Sequence, residues 1–198
     1  MTRKKLLLMA IGITVVVAGS IARSYIPGIP GNVAMIRVAF AQNGGTSFSS
    51  TGIAGSGVLK QEPRNVRDFS SASISGVGTV HLRQANAFNV VLGIDDNLLS
   101  HYETSVKNGV LILGFKSDTN VRNLKALNIC IDMPELNGIS LSGAAAVVLE
   151  TTCTIRKLLA DIFGTGKING TLKAHALTIN ASGATAVTLA GQTDTIFT

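Results

Sequence analysis

Apolar and polar residues alternate with period two through much of this chain, the pattern of half-buried β-strands. Leu127, Ile129, Ile131 and Met133 fall on one face, with Asn128, Cys130 and Asp132 on the other, until Pro134 stops the strand. Upstream, Val80-His81-Leu82-Arg83-Gln84 reads as a strand with His81 and Arg83 outward. Residues 88–94 (FNVVLGI) form another, closed by the turn cluster Asp95-Asp96-Asn97. Two β-prone runs, 102–106 and 110–115, flank Lys107-Asn108-Gly109, and Asn-Gly in that setting predicts a hairpin. Shorter apolar patterns at 58–62 and 66–69 are broken by Pro63. The one helix-like window, 156–161, is too short for a helix and reads as strand or turn.

From residue 136 onward one motif recurs. Ser142-Gly143-Ala144-Ala145-Ala146-Val147-Val148-Leu149 returns as Ser182-Gly183-Ala184-Thr185-Ala186-Val187-Thr188-Leu189, and appears earlier as Ser75-Gly76-Val77-Gly78-Thr79-Val80-His81-Leu82. A looser copy, Phe163-Gly164-Thr165-Gly166-Lys167-Ile168, keeps the glycine and places Ile168 at the valine position. Gly143, Gly164 and Gly183 are thus 21 and 19 residues apart. A period near twenty predicts a solenoid in which each repeat is one rung that buries its apolar face against its neighbours. Ile139, Leu141, Val147 and Leu149 share a parity within their strands, as do Ile179, Ala181, Val187 and Leu189. The glycines mark the sharp turn between strands, where φ is positive or a Cβ clashes. The expected fold is all-β: a parallel β-helix, or β-solenoid, with one hairpin in its N-terminal half.

Charge changes the picture at the N-terminus. The net charge is +6 over 198 residues, but Arg3, Lys4, Lys5, Arg23 and Arg37 lie in the first 41 residues, which hold no Asp or Glu. The remainder holds 12 Lys and Arg against 11 Asp and Glu, a net of +1. That body has no field to steer phosphates, which excludes nucleic acid as the partner. The basic start and the apolar run 6–18 read as a secretory leader over 1–41, with Ala39-Phe40-Ala41 as a cleavage signal and a site after Ala22 as the alternative. If uncleaved, residues 6–22 are a membrane anchor at the short end of spanning length. Residues 42–57, rich in Gly, Ser and Thr, read as a flexible linker, and 58–198 as the folded domain.

The sequence resembles the GIN-domain family, named for the head of auto-transporter adhesins and formerly a domain of unknown function. The resemblance rests on Arg67-Asp68-Phe69, on the segment from Ile74 through Gly76 to Leu82, and on Ile94-Asp95-Asp96-Asn97-Leu98-Leu99. It continues with Val106-Lys107-Asn108-Gly109-Val110-Leu111-Ile112, Pro134-Glu135-Leu136 and the Ser-Gly-Ala rungs. It implies an exported or surface-exposed bacterial β-helix, right-handed, with no established enzymatic activity. Family members carry more Ser-Gly rungs, so the C-terminal rung here reads as uncapped, a route to homo-oligomers.

No catalytic constellation emerges, and no catalytic, cofactor or metal residue is assigned. Asp95 and Asp96, the only adjacent carboxylates, read as turn chemistry rather than an acid–base pair. His81, His101 and His175 lack metal-ligand spacing and read as surface histidines. Gly164-Thr165-Gly166-Lys167 lacks the P-loop spacing and reads as a corner; Ser142 and Ser182 lack a nucleophile-elbow context. Cys130 and Cys153 are an even pair in an exported chain, which opens a disulfide, but the outward parity of Cys130 favours two free thiols. The expected function is a non-catalytic binding or adhesion module whose surface ligand is a glycan or a protein. Outward Thr178, Asn180, Thr185 and Thr188 are candidates for its surface. A membrane-tethered scaffold and a polysaccharide-acting enzyme are the alternatives, the latter requiring charged groups from different rungs to converge.

Overall fold

The computed structural model describes residues 52–197 together with the strand Ile13–Val17. In chain order the strands are β1 (Ile13–Val17), β2 (Ile53–Ala54), β3 (Leu59–Arg64), β4 (Ser71–Gln84), β5 (Asn89–Asp95), β6 (Tyr102–Lys107) and β7 (Val110–Phe115). They continue with β8 (Val121–Arg122), β9 (Asn128–Met133), β10 (Gly138–Leu149), β11 (Cys153–Gly164), β12 (Lys167–Gly183) and β13 (Thr185–Phe197). One 3-10 helix, Asp96–His101, follows β5. The fold is all-β with a single large mixed sheet, running β1-β13-β12-β11-β10-β4-β9-β5-β3 and branching at β4 to β7 and β6. The path stays open and does not close into a barrel.

The near-twenty period sets the register. β10 pairs with β11 in parallel from Gly138 opposite Leu159, a shift of 21. β11 pairs with β12 from Cys153 opposite Leu172, and β12 with β13 from Lys167 opposite Ala186, shifts of 19. Val147 therefore lies opposite Ile168, and Ile168 opposite Val187. The third copy of the motif joins the same stack, since β4 pairs with β10 over their shared length, Val80 opposite Val147 and Leu82 opposite Leu149. Leu141, Val147, Ile162 and Ile168 have no exposed surface. Burying each such side chain is worth about 1.5–3 kcal/mol, so the aliphatic columns supply the main driving force.

The corners are built from glycine because nothing else fits. Gly76, Gly143 and Gly164 stack directly, with φ of +104°, +105° and +110°. A Cβ on Gly164 would lie 2.6 Å from the carbonyl oxygen of Gly143. Thr165 N donates to that same oxygen at 2.7 Å, which carries the ladder around the bend. Where the ladder lacks a neighbouring strand, a side chain replaces it. The Gln84 amide accepts from Thr154 N at 2.7 Å and donates to Thr154 O at 3.1 Å and Pro134 O at 2.9 Å.

Below β4 the sheet divides. The first half of β4 pairs with β7, which carries β6 as an antiparallel hairpin; the second half pairs with β9, followed by antiparallel β5 and β3. The hairpin turns at Asn108 and Gly109, both with positive φ, as Asn-Gly predicts. The window 156–161 lies inside β11. Two expectations need correction. Pro63 does not break a strand: it sits within β3, which pairs only with β5, and an edge strand can leave the missing N–H facing outward. The end of the Gly/Ser-rich stretch, 52–57, is not a free linker. Ile53 and Ala54 pair with β8, and Gly57 N donates to Asp95 at 2.6 Å. Residues 1–12 and 18–51, with most of the expected leader, its cleavage signals and linker, lie outside the described residues.

We expect Gly164→Ala to lower stability by about 2–5 kcal/mol, combining backbone strain with a clash on a neighbouring carbonyl. Gly57 also has positive φ but open space around it, so Gly57→Ala should cost no more than about 2 kcal/mol. Urea unfolding of the two variants separates a stacked corner from mere loop strain; equal costs would contradict it.

Candidate binding surface

Residues of outward parity on β6, β7, β4, β10, β11 and β12 lie in register on one face. Ser71 of β4 is opposite Val110 and Gly138; Gly138 is opposite Leu159, and Leu159 opposite Thr178. Two residues further along, Ile112, Ser73, Ser140, Asp161 and Asn180 form the next column. The third holds Ser75, Ser142, Phe163 and Ser182. Phe163 is 54% exposed, Leu159 37% and Phe197, opposite Thr178, 57%. Asn180 Nδ2 donates to Asp161 Oδ1 at 2.8 Å. At the hairpin end Lys107 pairs with Glu103 at 3.7 Å.

Charged groups also converge on a second face. Arg83 Nε and a terminal guanidinium nitrogen donate to the two oxygens of Asp132 at 2.7 and 2.9 Å, and Asn89 Nδ2 donates to Asp132 at 3.2 Å. His81 Nδ1 lies 2.6 Å from Glu150. The hydrogen bonds from Arg83 hold the Asp132 carboxyl below its usual value against the opposing effect of burial, and Asp132 raises Arg83 in turn. A carboxylate kept ionised in this way accepts hydrogen bonds but does not supply a proton at neutral pH. The array stitches β5, β9, β4 and the end of β10 together.

A third cluster fastens the N-terminal strap. Asp95, fully buried, accepts from Gly57 N and from Lys125 N at 3.0 Å. Asp96 accepts from Ser56 Oγ at 2.5 Å, and Asn97 accepts from Ser56 N and donates to Ala54 O.

The comparisons with known proteins bear on this arrangement. A family model described as "Putative auto-transporter adhesin, head GIN domain" matches residues 68–198. The chain belongs to the GIN-domain family. Its fold is similar to a "putative adhesin" from Bacteroides fragilis NCTC 9343, with 27% identity and a TM-score of 0.64, over 68% of this chain and 63% of that one. It is also similar to a "putative lipid binding protein" from Parabacteroides distasonis ATCC 8503, with 19% identity and a TM-score of 0.62, over 70% and 63%. A "putative adhesin" from the same organism shares 21% identity with a TM-score of 0.56, over 68% and 67%. The last two likenesses show the fold alone. The chain spans about 63% of the length of the first two structures. No curated protein matches it.

Within this GIN domain the expected site residues separate. Thr178, Asn180 and Thr188 face outward, but Thr185 does not: it is 2% exposed. It shares the parity of Val187 and Leu189, and that parity points to the core. Asp95 ends β5 and Asp96 opens the 3-10 helix, and their carboxylates bind a segment nearly forty residues away, which local turn rules cannot reveal. His175 is paired with Asp194 at 2.7 Å, and among the described residues no group of three metal-ligating side chains comes together. Gly164-Thr165-Gly166-Lys167 is a corner. Cys130 and Cys153 are free thiols, the first exposed in a shallow groove with Leu59, Lys60 and Val91, the second buried. Burial pushes the Cys153 thiol up. The sequence reading passed over Phe163. The signal was present, because Phe163 replaces the serine that precedes the corner glycine in the other copies.

Asp132 yields a signed expectation. Its lowered value stabilises the fold above the ordinary carboxylate pKa of about 3.9, and that stability is lost as pH falls through the lower folded value. Asp132→Asn should be less stable than wild type at pH 7 and should lose less on going from pH 5 to pH 2. Parallel urea titrations read this; an unchanged acid limb counts against the pairing. Asp95→Ala should expose residues 52–58 to proteolysis and cost about 3 kcal/mol, since the N–H groups of Gly57 and Lys125 lose their buried acceptor. Limited digestion with N-terminal sequencing checks it.

Proposed function

We propose that the chain is a non-catalytic, extracytoplasmic binding module of the adhesin-like type. The observation that carries this reading is the outward sheet face, where Phe163, Leu159 and Phe197 stand exposed among hydroxyl side chains. Exposed apolar side chains set among convergent hydroxyls offer a ligand both apolar contact and polar groups that fix its orientation. Membership of the GIN-domain family supports a cell-surface role, and the basic, apolar start of the chain supports export. In this reading 1–41 is a leader, 42–57 joins it to the domain, and the stacked strands are the coils of a right-handed β-solenoid. The near-twenty register shift and the glycine corners support the solenoid.

An enzyme reading has one observation in its favour, the convergence of Arg83, Asp132, His81 and Glu150 from different strands. Against it, each carboxylate is paired with a base, and Asp132 is held ionised rather than poised to donate. We assign these groups to stitching the strands.

The exported protein should begin after residue 41, or after Ala22, and should bind whole bacterial or host cells. Phe163→Ala with Phe197→Ala should reduce cell retention several-fold without changing the melting temperature by more than a few degrees. N-terminal sequencing and flow cytometry with the labelled chain read both. Retention equal to wild type in the double variant removes this face from the function; a persisting leader with no cell binding supports the tethered scaffold.

A further inference from the structure

The outward face has relief as well as composition. The row on β4 holds Ser71, Ser73 and Ser75, and the adjacent row on β10 holds Gly138, Ser140 and Ser142. None of these side chains extends beyond one hydroxyl. On one side rise Val110 and Ile112, on the other Leu159 and Phe163. With strands about 4.8 Å apart, the two rows form a floor running along the strands, roughly 14 Å from lip to lip. The floor is built for its serines: a Cβ on Gly138 would lie 2.8 Å from Ser71 Oγ, and one on Gly114 would collide with Ser75 Oγ. Ser75 Oγ donates to Leu113 O at 3.3 Å, whereas among the described residues Ser73, Ser140 and Ser142 have no hydrogen-bond partner for their hydroxyls.

Resting on the binding role above, we propose that this trough takes a neutral glycan chain. One sugar ring lies with its apolar C–H face on the ring of Phe163, and its hydroxyls bond to the serine floor and the Asp161–Asn180 pair. Each serine hydroxyl both donates and accepts, as a polyol requires, and Asp161 with Asn180 adds a strong acceptor beside an amide that does both. The electron-rich face of an aromatic ring suits polarised C–H groups. Charge complementarity favours a neutral ligand. Glu103 and Lys107 offset each other, Asp161 faces Asn180 rather than a cation, and neither the serine floor nor its lips at Val110, Ile112, Leu159 and Phe163 carries a Lys or Arg; exposed Lys157 stands outside the trough, two residues before Leu159. A protein partner fits less well, because Leu159, Phe163 and Phe197 are separated by polar positions and form no contiguous apolar centre.

The test is titration of the full chain, by glycan array and calorimetry, with neutral mannohexaose, cellohexaose and chitohexaose and with anionic polygalacturonate and heparin. At least one neutral oligosaccharide should bind. Phe163→Ala should weaken that binding at least tenfold, and Ser140→Leu, which fills the floor beside Asp161 at an outward-facing position, should abolish it. Lys173→Glu, on another face, should leave it unchanged, and thermal melts establish that each variant folds. Binding restricted to the anionic probes, or neutral binding indifferent to Phe163→Ala and Ser140→Leu, overturns the assignment. If none of the neutral probes binds while the chain still binds cells, the glycan inference fails and the binding role stands; if cell binding is also absent, both fail.

Discussion

Everything in this molecule depends on one backbone constraint, that a strand nineteen to twenty-one residues further on must lie beside its predecessor in parallel register. Meeting it places Val147, Ile168 and Val187 in one column and so buries side chains that a single rung could not shield. The glycine corners follow from the same requirement. At 4.8 Å spacing the carbonyl of one corner occupies the space where the next corner's Cβ would be, so the turn repeats only where the side chain is absent. Stability is therefore shared along the stack, each strand resting on the one before it.

The stack also needs an end, and the N-terminal half supplies one. β4 belongs to both regimes: above it the strands run parallel as far as β13, whose outer neighbour β1 is antiparallel, and below it the sheet splits into two leaves that turn antiparallel. A hairpin finishes one leaf. A proline-bearing edge strand finishes the other. On the remaining side, where no strand lies beside residues 153–155, the Gln84 amide imitates a peptide group and satisfies Thr154 at both its N–H and its carbonyl. These devices leave few unpaired backbone groups where the repeat stops, the usual hazard of a sheet edge.

The polar residues divide by what they do for this architecture. Asp95 and its neighbours tie down the strap, and Arg83 with Asp132 joins strands that are distant in sequence, so both clusters are spent on holding the fold. What remains on the outer face is small, hydroxylated and nearly neutral, interrupted by Leu159 and Phe163 on the one rung whose motif departs from Ser-Gly. A departure from a repeat at an exposed position has no packing reason, which is why that rung, rather than the regular ones, is where binding is sought.

The sequence by itself determined the period, the corner glycines, the hairpin at Asn108-Gly109 and the inward parity of the aliphatic columns, because each is a local consequence of steric limits or of alternation along a strand. Thr185 was misread although its parity was available, since a hydroxyl suggests a surface. Tertiary structure alone decided that 52–57 docks on Asp95, that Pro63 lies on an edge, and that Ser73, Ser140 and Asp161 share one column. Those facts depend on which strands become neighbours across as many as sixty-seven residues of chain, and no local pattern encodes that.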